Sequence, residues 1–117
     1  AHATHPNYSE KSDPTNQIVM GRGVALKSSA SQRYVSDSEA SAVIMALSRN
    51  QDIKIQRQVN RSGMAGGQTL GPIASSYLPV RAVDMGIPIL AMHSAVELGS
   101  AEDYAQLEKL CGAVFEM

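Results

Sequence analysis

Hydrophobic positions in this chain cluster into a few short runs, separated by polar or glycine-rich stretches. The most pronounced run is Val83-Asp84-Met85-Gly86-Ile87-Pro88-Ile89-Leu90-Ala91-Met92-His93-Ser94. It reads as a buried strand, a Gly-x-Pro break, a second apolar run, and then an imidazole followed by a hydroxyl. The strand is predicted over Val80–Asp84. Val24-Ala25-Leu26-Lys27 predicts a second strand, one that ends in a cation. Ser36-Asp37-Ser38-Glu39 matches a capping box with Ser36 as the cap. Ala40, Val43, Ile44 and Leu47 then recur at i, i+3, i+4 and i+7, predicting a helix to about Arg49. Ile53, Ile55 and Val59 alternate with Lys54, Gln56 and Gln58, the pattern of a strand wet on one side. Pro72 to Tyr77 suggests a short helix. Ser100-Ala101-Glu102-Asp103 caps a last one, with Tyr104, Leu107, Cys111, Val114 and Phe115 on its apolar face.

The stretch from Ala1 to Gly23 shows neither helical nor strand period and holds Pro6, Pro14, Asn7 and Asn16, so it is expected to be a long loop. His2 and His5 open it. Pro6 directly after His5 biases the pair away from the helix on which His-x-x-His would chelate a metal. Between Arg61 and Pro72 lie Gly63, Gly66, Gly67 and Gly71, which permit positive φ and a close backbone approach to a ligand. This loop has neither the Gly-Lys-Ser/Thr of a P-loop nor the GxGxxG of a dinucleotide site.

Strand, helix, strand, glycine loop with short helix, strand, helix: the alternation predicts an α/β fold with helices on the faces of a mostly parallel sheet. In such sheets ligands bind at the carboxyl ends of strands. That places Lys27, the 63–69 loop and His93 together.

Composition narrows the classes. The chain of 117 residues amounts to one domain, and its net charge of -1 argues against nucleic acid as a partner. No apolar run approaches the roughly 18 residues of a membrane helix. The single cysteine, Cys111, excludes an internal disulfide framework and fits a reducing, cytoplasmic setting. Neither CxxC nor HExxH is present, so no self-contained zinc motif is seen. The start Ala-His-Ala-Thr-His-Pro lacks an initiator Met, which is expected of a piece of a longer chain.

Three stretches resemble one family in order and spacing. Ala1-His2-Ala3-Thr4-His5-Pro6-Asn7-Tyr8 resembles the Asp-Met-Ala-His-Ala-x-His-Pro-Asn-Tyr motif of the aspartyl and vacuolar aminopeptidases, and Ser31-Gln32-Arg33-Tyr34 resembles their Asn-Gln-Arg-Tyr. Gly66-Gly67-Gln68-Thr69-Leu70-Gly71-Pro72-Ile73, Val83-Asp84-Met85-Gly86 and Ala91-Met92-His93-Ser94 are similar to their Gly-Gly-Ser-Thr-Ile-Gly-Pro-Ile, Val-Asp-x-Gly and Ala-Met-His-Ser. The resemblance implies that residues 1–117 are the C-terminal portion of a zinc-peptidase-like, three-layer catalytic domain. It further implies two zinc ions, a metal-activated water, and a peptide substrate that loses one N-terminal residue, possibly an acidic one. His93 would be a zinc ligand; His2, Lys27, Gly66, Gly67 and Thr69 would line the substrate. No catalytic residue proper falls within the chain. The family's homo-oligomers imply the same assembly.

Gly63 stands where the family usually has Asp, and Val96 replaces a common Arg, although Glu97 remains. The remaining zinc ligands and the general base would lie upstream of Ala1, and a closed catalytic site needs about three protein ligands per metal. The isolated chain is therefore expected to be inactive. The competing reading is a non-catalytic α/β module, or a dead-site relative, binding an anionic ligand or a protein partner through the glycine loop.

Overall fold

The computed structural model describes residues 1–64 and 66–117; Ala65, within the glycine loop, lies outside the described residues. Three strands form the central sheet: β1 (Val24–Ser28), β2 (Ile55–Val59) and β3 (Asp84–Gly86), in the order β2-β1-β3. β1 and β2 are parallel, with Val24 opposite Ile55 and Lys27 opposite Gln58, whereas β3 runs antiparallel to β1 with Lys27 opposite Asp84. A second pair, β4 (Ile89–Leu90) and β5 (Leu98–Gly99), is antiparallel. The α/β class expected from the sequence holds, but the sheet is mixed rather than mostly parallel. The physical reason is connection length. Only β1 and β2 are joined by a full crossover helix, α1 (Ser38–Asn50), the link that parallel strands require.

Side chains alternate across a strand, so the central sheet has two distinct faces. Val24 and Leu26 of β1, Ile55 of β2 and Met85 of β3 share one. There Val24 joins Ile44 of α1, Ile53, and Leu110 of α3 (Ala101–Phe115) in the core, flanked by Leu47, Leu107 and Val114. Both long helices thus pack on the same face.

Several local expectations shift by a residue or two. The cap of α1 is Asp37, whose carboxylate accepts the Ala40 N–H at 2.7 Å; Ser36 instead accepts the Asp84 N–H at 2.8 Å and ties this turn to β3. On α3 the core stripe is Asp103, Leu107, Leu110 and Val114, while Tyr104 and Phe115 are 62% and 90% exposed. The stripe is rotated from the predicted one because a charged residue, Asp103, occupies its first position. Its carboxylate is fully buried and accepts the N–H groups of Gly21 and Gly23, both at 2.7 Å, which locks the start of α3 onto the entry to β1. Cys111 is half-buried on the flank of this stripe. The short helix α2 spans Leu70–Ser75, two residues earlier than predicted.

The largest departure is at the start of the chain. Ala1–Ala3 is not free loop but runs parallel to β4 through one bridge, His2 opposite Ile89. The Ala1 N–H donates to Ile87 O, Ile89 N–H to Ala1 O, and Ala3 N–H to Ile89 O, each at 2.9 Å. Ala3 and Ile18 are buried, so two hydrophobic residues anchor a segment whose composition is otherwise polar. A single 3-10 turn, Ser9–Lys11, follows, and the remaining residues to Gly23 are loop.

Candidate functional site

The second face of the central sheet carries Lys27 of β1, Gln56 and Gln58 of β2, and Asp84 of β3. It is covered by the N-terminal segment instead of a helix. Gln56 is the clamp: its amide accepts from Val19 N–H at 2.9 Å and donates to the carbonyls of Val19 and Gly23. Asn16 donates to the carbonyl of Arg57, extending the contact toward the carboxyl end of β2.

His93 follows β4 in a tight turn in which Ala91 and His93 both hold positive φ, 56° and 70°. Such backbone is unfavourable for residues with a Cβ, at a cost of order 1–3 kcal/mol each, and collects at functional sites. Glu97 over-determines the geometry by accepting the His93 N–H at 2.6 Å, and Ser94 N–H closes on Ala91 O at 3.0 Å. The His93 ring is left exposed. Glu97 was legible in the sequence as a retained acidic residue; its work on the backbone of His93 was not.

His2 is brought to the same place by the Ala1–Ala3 strand. Burial pushes its imidazole below the ordinary range, and His93 and Lys27 push it further in that direction. The charges of Lys27 and His93 thus act on His2, although the three lie far apart in sequence. The Lys27 ammonium sits 5.3 Å from the centroid of the Tyr34 ring, within cation–π range. Tyr34 in turn exchanges a hydrogen bond with Asn60 at the end of β2.

The glycine loop closes one side of a cavity of about 360 Å³, whose walls include His2, Tyr34, Gln58, Asn60, Gly66 and Gly67. Gly66 lies close under Asn60: a Cβ there would come within 2.1 Å of the Asn60 amide nitrogen and displace that side chain. Thr69 is placed differently from the glycines. Its hydroxyl donates to Asp84 at 2.7 Å, and the same Asp84 oxygen accepts the Val35 N–H at 2.7 Å, so Asp84 joins the loop to the turn after Tyr34. His5 stands apart from His2: its Nδ1 accepts the Asn7 N–H, and its ring tilts against Tyr8. Gly63 takes a positive φ of 81° with open space around its Cα, so a side chain at this position would point into solvent or ligand.

Among the described residues, no group of three or more His, Cys, Asp or Glu side chains could hold a metal ion. The exposed and conformationally fixed His93 ring fits the part of a single ligand whose partners come from elsewhere.

A family model described as aminopeptidase I zinc metalloprotease (M18) matches residues 1–115. The chain belongs to the M18 aminopeptidase family. It is 51% identical over 104 residues to a probable M18 family aminopeptidase 2 of Clostridium novyi, covering 89% of this chain and 24% of that protein. It is 41% identical over 115 residues to the protein of that name in Stutzerimonas stutzeri, covering 98% and 27%. This M18 chain thus spans about a quarter of the length of these relatives. Among solved structures, it matches a chain in the cryo-EM structure of the Ape4 and Nbr1 complex with a TM-score of 0.96 at 32% identity, covering 99% of this chain and 22% of the other. The S. cerevisiae mApe1 dodecamer matches with a TM-score of 0.82 at 24% identity, over 99% and 25%, which speaks to the fold. Among the described residues, no helix is long and apolar enough to cross a membrane.

Proposed function

We propose that residues 1–117 are the C-terminal portion of the catalytic domain of a zinc aminopeptidase and supply one metal ligand and much of the substrate-binding wall. The observation that carries this reading is the turn that holds His93 at φ 70°, its N–H on the Glu97 carboxylate and its ring exposed, while His2 lines a cavity with Gly66 and Gly67. In this reading His93 is the ligand to one of two zinc ions, and the other ligands and the general base come from the rest of the protein. Bound zinc would polarise the scissile carbonyl and lower the pKa of a water for attack.

The residues of this chain do the holding. Glu97 fixes the His93 backbone, so the imidazole is presented without reorganisation. Lys27 supplies a compact positive charge for an oxygen-bearing side chain of the N-terminal substrate residue, aspartate among them. The Gly66–Gly67 backbone allows the peptide to approach closely, and His2 lines the same cavity. Thr69, through Asp84, keeps the glycine loop in register with β3. A homo-oligomer, as in the mApe1 dodecamer, and a cytoplasmic setting in keeping with the lone cysteine complete the reading.

The test is hydrolysis of Asp- and Leu-initiated peptides by the full-length protein and by Lys27→Met. The expected result is turnover by the wild type and a fall of about tenfold or more in the Asp-to-Leu ratio of kcat/KM for the variant. An unchanged ratio removes Lys27 from the pocket, and absence of turnover in the wild type removes the aminopeptidase reading.

A further inference from the structure

We infer that Thr69 is a positioning residue for specificity: its hydroxyl holds the Asp84 carboxylate off Lys27, which leaves the Lys27 charge to the substrate side chain. This rests on the aminopeptidase reading above, in which Lys27 meets that side chain. Lys27 and Asp84 stand directly opposite each other on β1 and β3. Side chains so placed share one face with Cβ atoms about 5 Å apart, and opposite charges there attract. Elsewhere in the chain such partners do meet: Lys54 reaches Glu102 at 2.8 Å, and Arg81 reaches Glu39. Among the described residues, Lys27 and Asp84 form no such pair. The Lys27 ammonium lies instead 5.3 Å from the centroid of the Tyr34 ring.

The neighbours of Asp84 explain why. Its Oδ2 accepts both the Thr69 hydroxyl and the Val35 N–H, each at 2.7 Å. Gly71 closes in on the same oxygen, since a Cβ built there would lie 2.9 Å from it. The Asp84 N–H donates to the Ser36 hydroxyl at 2.8 Å, which fixes the backbone as well. Thr69 is the one side-chain donor to this carboxylate among the described residues. It forgoes an ordinary role to be so. As the N-cap of α2 its hydroxyl would usually accept an N–H of the first turn, yet it makes no such bond. A hydroxyl has one proton to give, and Asp84 at 2.7 Å takes it over the Arg33 carbonyl at 3.5 Å.

The consequence is electrostatic. Hydrogen bonds to a charged acceptor are the strong ones, and two of them satisfy Asp84 where it stands. Without the Thr69 donor, the carboxylate gains by turning to the cation across the strand pair. An internal carboxylate on Lys27 then competes with one brought by the substrate. A substrate residue with a hydrocarbon side chain meets no such competitor, so the loss appears as a change in selectivity.

The experiment measures the Asp-to-Leu ratio of kcat/KM, on otherwise identical peptides, for the full-length protein. Its variants are Thr69→Val, Thr69→Ser, Asp84→Asn and the double variant Thr69→Val with Asp84→Asn. Thr69→Val keeps the shape and removes the donor, so the ratio should fall about three- to fivefold, the strength of one cross-strand ion pair. Thr69→Ser restores the hydroxyl and should hold the ratio within about twofold of the wild type. The double variant removes the competing charge and should bring the ratio back, which a mere loosening of the loop would not. Asp84→Asn alone, which decides the matter if Thr69→Val does not fold, should not lower the ratio. A ratio unmoved by Thr69→Val, lost in Thr69→Ser, not restored in the double variant, or lowered by Asp84→Asn overturns the inference with the aminopeptidase reading intact. Absence of cleavage of both peptides by the wild type overturns both.

Discussion

The two faces of the β2-β1-β3 sheet lie one residue apart in sequence and follow opposite rules. On the helix face, Val24, Ile55 and Met85 meet α1 and α3 in a close apolar core, and Leu26 is buried beside them in the sheet. On the opposite face, Lys27, Gln56, Gln58 and Asp84 meet a polar N-terminal segment through hydrogen bonds, with one amide left unpaired and a cation resting on an aromatic ring. Area removed from water, at about 25 cal/mol per Å², makes the first face the source of stability. The second face contributes directional groups at fixed positions, which is what recognition of a ligand requires. Stability and binding are therefore separable here by strand parity, and substitutions can test that separation.

The largest expected effect is on the helix face. Leu110→Ala removes a fully buried side chain and should cost about 3 kcal/mol, read as a lower denaturation midpoint of the full-length protein. A cost below about 1 kcal/mol would mean that this core does not carry the fold. Asp103→Ala comes next: two N–H groups lose their acceptor, and roughly 2–3 kcal/mol should go with them. His93→Gly should act in the opposite direction. Relief of the positive φ should stabilise the metal-free protein by about 1 kcal/mol, while peptide hydrolysis is lost. Destabilisation would place His93 among the structural residues. Gln58→Met should change stability by less than about 1 kcal/mol, or increase it, because a buried unpaired oxygen is removed.

The smallest effect is a pH dependence at His2. Its folded-state pKa lies below the unfolded value of about 6.5, so the unfolded chain binds more protons in that interval. The contribution of His2 to stability is complete above about pH 6.5 and is lost as pH falls through the depressed folded value. His2 is largely open to solvent, so the slope should be shallow. Denaturation midpoints of wild type and His2→Gln between pH 5 and 7.5 should converge toward the acid end (a pH window chosen around the unfolded pKa). Parallel profiles would contradict the shift.

Much of this arrangement was legible in the residues. β1, α1 and the turn bearing His93 follow from apolar period and break residues. What could not be read depends on contacts distant in sequence. Ala1–Ala3 is held beside β4 because Ile87 and Ile89 offer backbone partners to it, which no local pattern announces. Asp103 reads as a surface residue in a first helical turn until two glycine N–H groups more than 75 residues away prove to be its partners. The same separation hid Gln58: its alternation with Ile55 and Val59 predicted a wet strand face, and only the covering by residues before β1 makes that face buried.

The most direct test of the account is the zinc content of the full-length protein with and without His93→Ala. The variant should lose one zinc equivalent per chain together with peptide hydrolysis, while its fold is retained. Unchanged zinc and unchanged hydrolysis would contradict the reading, leaving the turn after β4 without a metal ligand.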